Sequence, residues 1–147
     1  VAATNGVVVM VGKKKLPYLS DKAFFIKHGY EVCDACAPNI ELLVKRFRQD
    51  APLPRFKACA SAGLGDDVKG IDIFYTVQCP FTMPYIKLLE PVIQAASVPV
   101  RVHPITTREM AREHRAPHTT YCVFVDGKFY TREVLTPAKL QKLLEKQ

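Results

Sequence analysis

Apolar residues fall in short bursts separated by glycine, proline and charged residues, and the period of each burst predicts an element. Asn5 and Gly6 lead into Val7–Val11, a β-branched run that reads as a buried strand ended by Gly12 and the lysines after it. Ser20 reads as an N-cap, with Asp21 in the favourable first turn of a short helix that runs to His28 and buries Phe24 and Phe25. Gly29 accepts left-handed backbone at no steric cost and stops that helix. Tyr30–Cys33 reads as a strand, and Pro38 separates it from Glu41–Phe47, which fits a strand better than a helix. Periodicity is lost from about Gln49 to Lys69. Pro52, Pro54, Gly63, Gly65 and the Asp66-Asp67 pair mark this stretch as a linker.

The second half alternates more clearly. Ile71–Tyr75 has strand period, and Thr82 to about Ala96 has helical period, with Tyr85, Leu88, Leu89, Val92, Ile93 and Ala96 on one stripe. Pro84 is tolerated in the first turn, whereas Pro91 lies inside and is expected to kink the helix. Val98–His103 is a second strand, which Pro99 places at a sheet edge unless the proline only begins it. Thr106 with Glu109 predicts a capping box for a short helix to about His114. Thr120–Val125 and Lys128–Thr131 are strands joined by Asp126-Gly127, a two-residue hairpin signal. Thr136 caps a last helix with Pro137 at its first position and Leu140, Leu143 and Leu144 toward the core. This order predicts a four-stranded mixed sheet covered by three helices, so the class is α/β, of the α+β kind.

Composition narrows the partners. A net charge of +7 in 147 residues raises the possibility of an anionic ligand. The excess is spread evenly, however: Lys and Arg outnumber Asp and Glu by 10 to 7 over residues 1–67 and by 11 to 7 over 68–147. The only dense basic run, Lys13-Lys14-Lys15, has no interleaved aromatic residue, so nucleic acid is not expected. No apolar run approaches the roughly 20 residues that cross a bilayer, and no membrane span is expected. The five cysteines are Cys33, Cys36, Cys59, Cys79 and Cys122, an odd and scattered set that fits a reducing cytoplasm. Cys33 and Cys36 form a lone CxxC without a second pair of ligands. They read as semi-buried cysteines, and no metal site is expected.

Cys79-Pro80-Phe81-Thr82 follows the first strand of the second half. A cysteine there feels the aligned N–H groups of the helix start, which favour the thiolate. With the element order, this motif resembles the thioredoxin/glutaredoxin fold over about 69–147. The resemblance implies a reactive thiol at Cys79. Thr82 stands where a dithiol enzyme has its resolving cysteine, and Thr119 stands where the fold places its cis-proline, Pro117 lying two residues earlier. His118, next to that position, is a candidate partner of Cys79.

The first half, with its helix ending in Lys27-His28-Gly29-Tyr30-Glu31-Val32, resembles the C-terminal part of a GNAT N-acetyltransferase over about 6–47. Joined to the second half, it resembles GNAT proteins with a C-terminal YoaP-like domain. That resemblance implies a partial GNAT-like sheet and helix at 1–48, a linker at 49–68 and a thioredoxin-like domain at 69–147. It also implies acetyl-CoA as cofactor of the intact parent protein. The pyrophosphate loop of that family is absent. The nearest run, Ala60 to Gly65, lacks a basic or amide residue and precedes two aspartates, and Phe25 occupies the place of the tyrosine acid. The chain therefore reads as the C-terminal fragment of an acetyltransferase with an accessory domain, not catalytic and with no cofactor by itself. Its expected partner is the upstream half, or a second copy through an exposed sheet edge. The alternatives are a non-catalytic binding module and a monothiol glutaredoxin-like protein using Cys79.

Overall fold

The computed structural model describes residues 4–13, 19–37 and 39–147. Lys14 and Lys15 of the basic run, and Pro38, lie outside the described residues. The chain divides into two compact units, Val1–Gly63 and Leu64–Gln147. The class is mixed α and β, with a three-stranded and a four-stranded sheet.

The first unit holds β1 (Gly6–Gly12), α1 (Lys22–Lys27), β2 (Glu31–Cys36), β3 (Ile40–Arg46) and α2 (Ala58–Ala62). Its sheet is antiparallel in the order β1-β3-β2. The central position of β3 explains its composition: Ile40, Leu42, Leu43 and Val44 are all buried. The outer strands are less covered, and Val7, Val8, Met10 and Val32 are exposed. A bulge between Val32 and Asp34 turns Cys33 so that its thiol donates to the Leu42 carbonyl at 3.3 Å. Asp34 then accepts from the N–H groups of Ala35 and Phe56, both at 2.8 Å, which ties the 49–68 stretch to β2 at Phe56.

The second unit holds β4 (Ile71–Tyr75), α3 (Thr82–Gln94), β5 (Val100–Pro104), α4 (Arg108–Glu113), β6 (Tyr121–Val125), β7 (Lys128–Thr131) and α5 (Pro137–Leu144). The strand order is β5-β4-β6-β7, with β4 and β5 parallel and the remaining pairs antiparallel. The expected four strands, three helices and edge position of the Pro99 strand are all present. Alternation along β4 sorts its side chains. Ile71, Ile73 and Tyr75 enter a core with Ile86 and Leu89 of α3, Tyr121 and Val123 of β6, and Leu140 and Leu143 of α5. Cys122 and Phe124 of β6 join Ala116 in a second cluster, against which Phe74 packs.

Local capping differs from the sequence reading in two places. Asp21, not Ser20, is the N-cap of α1, its carboxylate accepting from the Phe24 N–H at 3.0 Å. Thr107, not Thr106, caps α4 by accepting from the Met110 N–H at 3.1 Å. In each case the residue directly before the first helical turn has the extended backbone a cap requires. Helix α1 buries no residue. Phe24 is exposed and leans on His28, and half-buried Phe25 packs edge-on against Tyr30. The core face of α3 is also rotated from the expected stripe. Thr82, Ile86 and Leu89 are buried, while Tyr85 and Leu88 are exposed.

The hairpin follows the expected chemistry. Asp126 and Gly127 have φ of 48° and 70°, both left-handed, as the turn that matches strand twist requires. A Cβ at Gly127 would lie 2.3 Å from the Asp66 carbonyl oxygen. Gly127→Ala should therefore destabilise the protein by about 2 kcal/mol or more, combining left-handed strain with the clash. Urea unfolding checks this, and an unchanged midpoint would contradict the turn geometry.

Candidate functional site

Strand β4 ends at Tyr75, and the chain turns through Thr76–Phe81 into α3. The Thr76 N–H donates to the Thr120 carbonyl at 3.1 Å. The Cys79 turn and the segment before β6 thus leave the sheet at the same end. Cys79 is half-buried and unoxidised. Its carbonyl accepts from the Thr82 N–H at 3.1 Å, which brings the thiol to the first turn of the helix. The Cys79 pKa lies below the ordinary thiol value. The Thr82 hydroxyl is the main cause, followed by the Phe81 N–H, against a smaller opposing effect of burial.

Thr82 is fully buried, and its hydroxyl has no hydrogen-bond partner in the structure. The hydroxyl of buried Thr76 is likewise unpartnered. An unpaired buried hydroxyl costs about 1–3 kcal/mol. A thiolate at Cys79 is the acceptor through which the Thr82 hydroxyl lowers the thiol pKa, and that hydroxyl has no other partner.

The structure pairs His118 with Arg132, whose Nη1 lies 3.2 Å from Nε2. Burial first, and then the Arg132 charge, push the His118 pKa down to about 4, so the ring is neutral at pH 7. A different cysteine and histidine meet instead: Cys122 Sγ lies 3.1 Å from His114 Nε2. Burial pushes the Cys122 thiol up to about 12, so this pair holds a protonated thiol rather than a nucleophile. Cys33 and Cys36 also lie above the ordinary thiol value, chiefly through burial and then through Asp34. Among the described residues, no three His, Cys, Asp or Glu side chains are grouped to hold a metal ion.

A charged network on the sheet was not read from the sequence. Asp72 is almost fully buried in β4 and accepts from Arg101 Nε at 2.7 Å, Arg101 Nη2 at 2.6 Å and His103 Nε2 at 2.7 Å. Burial alone would raise the Asp72 pKa. The hydrogen bonds from Arg101 and His103 outweigh it and hold the carboxyl below its ordinary value. His103 stacks on Phe74 with centroids 4.5 Å apart. The signal lay in the alternation of two neighbouring parallel strands, which puts Asp72 and Phe74 beside Arg101 and His103.

Gly63 and Gly65 do not form a phosphate loop. Gly63, with φ of 66°, closes α2 rather than opening a helix, and Gly65 lies against the Phe124 ring, where a Cβ would come within 2.7 Å. The run from Ala60 to Gly65 therefore lacks the geometry of a pyrophosphate loop.

A strand–helix–strand unit followed by a hairpin and a helix, with a cysteine at the first helix start, is the class of domain the second unit defines. Residues 99–142 match the family described as YoaP-like. The chain is 37% identical over 140 residues, 95% of its length, to the Uncharacterized N-acetyltransferase YoaP of Bacillus subtilis (strain 168). It spans 55% of that relative's length. Both findings support the YoaP family. No solved structure matches the chain, and no helix among the described residues is long and apolar enough to cross a membrane.

At neutral pH, iodoacetamide should modify Cys79 faster than Cys122, and Thr82→Val should slow Cys79 while leaving the fold intact. Mass spectrometry of labelled peptides across pH 5–9 reads both effects. Equal rates for the two cysteines, or a profile unmoved by Thr82→Val, would refute the activated thiol.

The depressed Asp72 carboxyl contributes stability that is present above its unfolded pKa of about 3.9 and is lost as pH falls through the lower folded value. Asp72→Asn should cost about 1–2 kcal/mol at pH 6, and this deficit should shrink below pH 4. Urea midpoints of both proteins between pH 6 and pH 2 test the trend.

Proposed function

We propose that this chain is the C-terminal portion of a GNAT-family N-acetyltransferase that carries a thioredoxin-like accessory domain. The observation that carries the proposal is the 37% identity, over nearly the whole chain, to a protein named as an N-acetyltransferase and almost twice as long. Acyl transfer from acetyl-CoA would belong to the intact protein. The first unit would complete its sheet, and the cofactor-binding half would lie outside this chain. The exposed apolar residues of the first unit support this reading. Val7, Val8 and Met10 on β1, and Phe24 and Ile26 on α1, offer apolar surface that an adjoining half would cover. A second copy pairing through an outer strand would cover part of it in the same way. The free thiols agree with a reducing, cytoplasmic setting.

A second reading, monothiol chemistry at Cys79, is favoured by the unpartnered Thr82 hydroxyl beside a thiol of lowered pKa. With threonine at position 82, oxidation would give a mixed disulfide or sulfenic acid rather than a loop within the motif.

Calorimetry with acetyl-CoA separates the parts. The intact protein should bind acetyl-CoA and release free CoA in the presence of amines, whereas the 147-residue chain should do neither. Micromolar acetyl-CoA binding by the chain alone would overturn the assignment of the cofactor to the other half. Failure of the intact protein to bind would overturn the acetyltransferase reading.

A further inference from the structure

Phe81, Tyr85 and Leu88 follow one another at one-turn spacing from the start of α3, and all three are exposed, Phe81 to 72%. Val77, in the turn before Cys79, is exposed as well. No charged residue stands between Asp72 and Lys87 in the chain. Cys79 thus lies between Val77 and Phe81 at one end of an uncharged apolar stripe. We propose, on the reading of Cys79 as a monothiol nucleophile, that this stripe docks an extended, uncharged apolar segment of a partner protein, whose disulfide-bonded cysteine is the substrate of Cys79.

A buried group faces the thiol and serves nothing else. Thr82 is fully buried, and its hydroxyl finds no partner other than the Cys79 sulfur. The chemistry at that sulfur is an exchange. The Cys79 thiolate attacks one sulfur of the partner's disulfide and forms a new S–S bond with it. The old S–S bond breaks, and the second sulfur leaves as a thiolate that takes a proton from water. One disulfide is consumed and one is made, so no further oxidant is needed. Threonine at position 82 cannot displace the partner, which stays linked until another thiol attacks.

The stripe decides which disulfide is taken. From Phe81 to Leu88 the helix rises about 10 Å at 1.5 Å per residue, the reach of roughly three residues of extended chain. A partner therefore covers the stripe with apolar side chains placed within three residues of its cysteine, and it gains by removing exposed rings and methyl groups from water. The turn meets Thr120 through the Thr76 N–H. Close to Thr120 in sequence, His118 is neutral at pH 7, and its Nε2 accepts from Arg132. That segment adds one hydrogen-bonded cation, against the whole length of an uncharged stripe. A second copy seated permanently there would close off the thiol, whereas a partner that comes and goes by exchange leaves it usable.

Three peptides give the test, each with a cysteine activated as the same 2-thiopyridyl disulfide. One flanks it with leucine and phenylalanine, one with serine and asparagine, and one with glutamate. Each is offered to the 147-residue protein, and mass spectrometry of the digested adducts reads the rate at Cys79. Dividing by the rate with N-acetylcysteine removes intrinsic differences between the peptides. The leucine and phenylalanine peptide should react about tenfold faster than the serine and asparagine peptide, and the glutamate peptide no faster than the latter. Phe81→Ser combined with Leu88→Ser alters two exposed side chains and should bring the apolar-to-polar ratio close to one. Equal rates for the apolar and polar peptides, a faster glutamate peptide, or a ratio unmoved by the double variant would each overturn the docking surface and leave the nucleophile standing. Modification of Cys79 no faster than that of Cys122 by all three would overturn the nucleophile, and the docking surface with it. A dimer in sedimentation that dissociates in the double variant would assign the stripe to a second copy and overturn the proposal as well.

Discussion

The two-residue period of β4 is the constraint on which the second unit depends. A central strand must bury both faces, and this one buries them differently. Ile71, Ile73 and Tyr75 pack under α3 and α5, while Asp72 and Phe74 point to the opposite face. The main core, the Asp72 network and the aromatic cluster around Phe74 follow from that single alternation. The same strand ends at the turn that carries Cys79, so its rigidity also sets where the thiol stands relative to the first turn of α3.

Much of this fold was legible because its local signals agree with its tertiary structure. Asp126-Gly127 specifies its turn through left-handed backbone at both residues, and Thr136-Pro137 specifies the start of α5 through a side-chain cap and a preset φ. The face of α3 was harder to read. Leu88 and Tyr85 are apolar enough to be taken for core, but the helix is oriented by Thr82, Ile86 and Leu89, one step around the cylinder. Apolar periodicity reports a stripe and not its centre, and the stripe here is wide. Helix α1 shows the same effect more strongly, since Phe24 is exposed and Phe25 only half-buried although the pattern reads as burial.

The candidate site was half legible. Cys79 was visible because a cysteine before a helix has a stated electrostatic consequence. His118 was chosen for its nearness in sequence to a structural landmark, and its recorded partner is Arg132. The Asp72–His103 pair was invisible to a search for ligand spacing along one segment, because its members come from different strands. Reading the two strands as a parallel pair would have exposed it: the alternating residues Asp72 and Phe74 meet Arg101 and His103 in register.

That pairing also explains why an aspartate is tolerated in a central strand. Desolvation opposes its charge, and three hydrogen bonds from the edge strand offset the opposition. The arrangement selects one register. If β5 slipped by one residue against β4, Arg101 and His103 would turn to the face of Ile71 and Ile73, and Asp72 would be left buried without a partner. The first change places charge where α3 and α5 supply only apolar contacts, and the second strips a buried carboxylate of its hydrogen bonds. A purely apolar edge strand would tolerate the slip far better. The buried carboxylate thus specifies the alignment of β5 rather than merely adding to its stability. It also fixes His103 against Phe74, where the two rings stack.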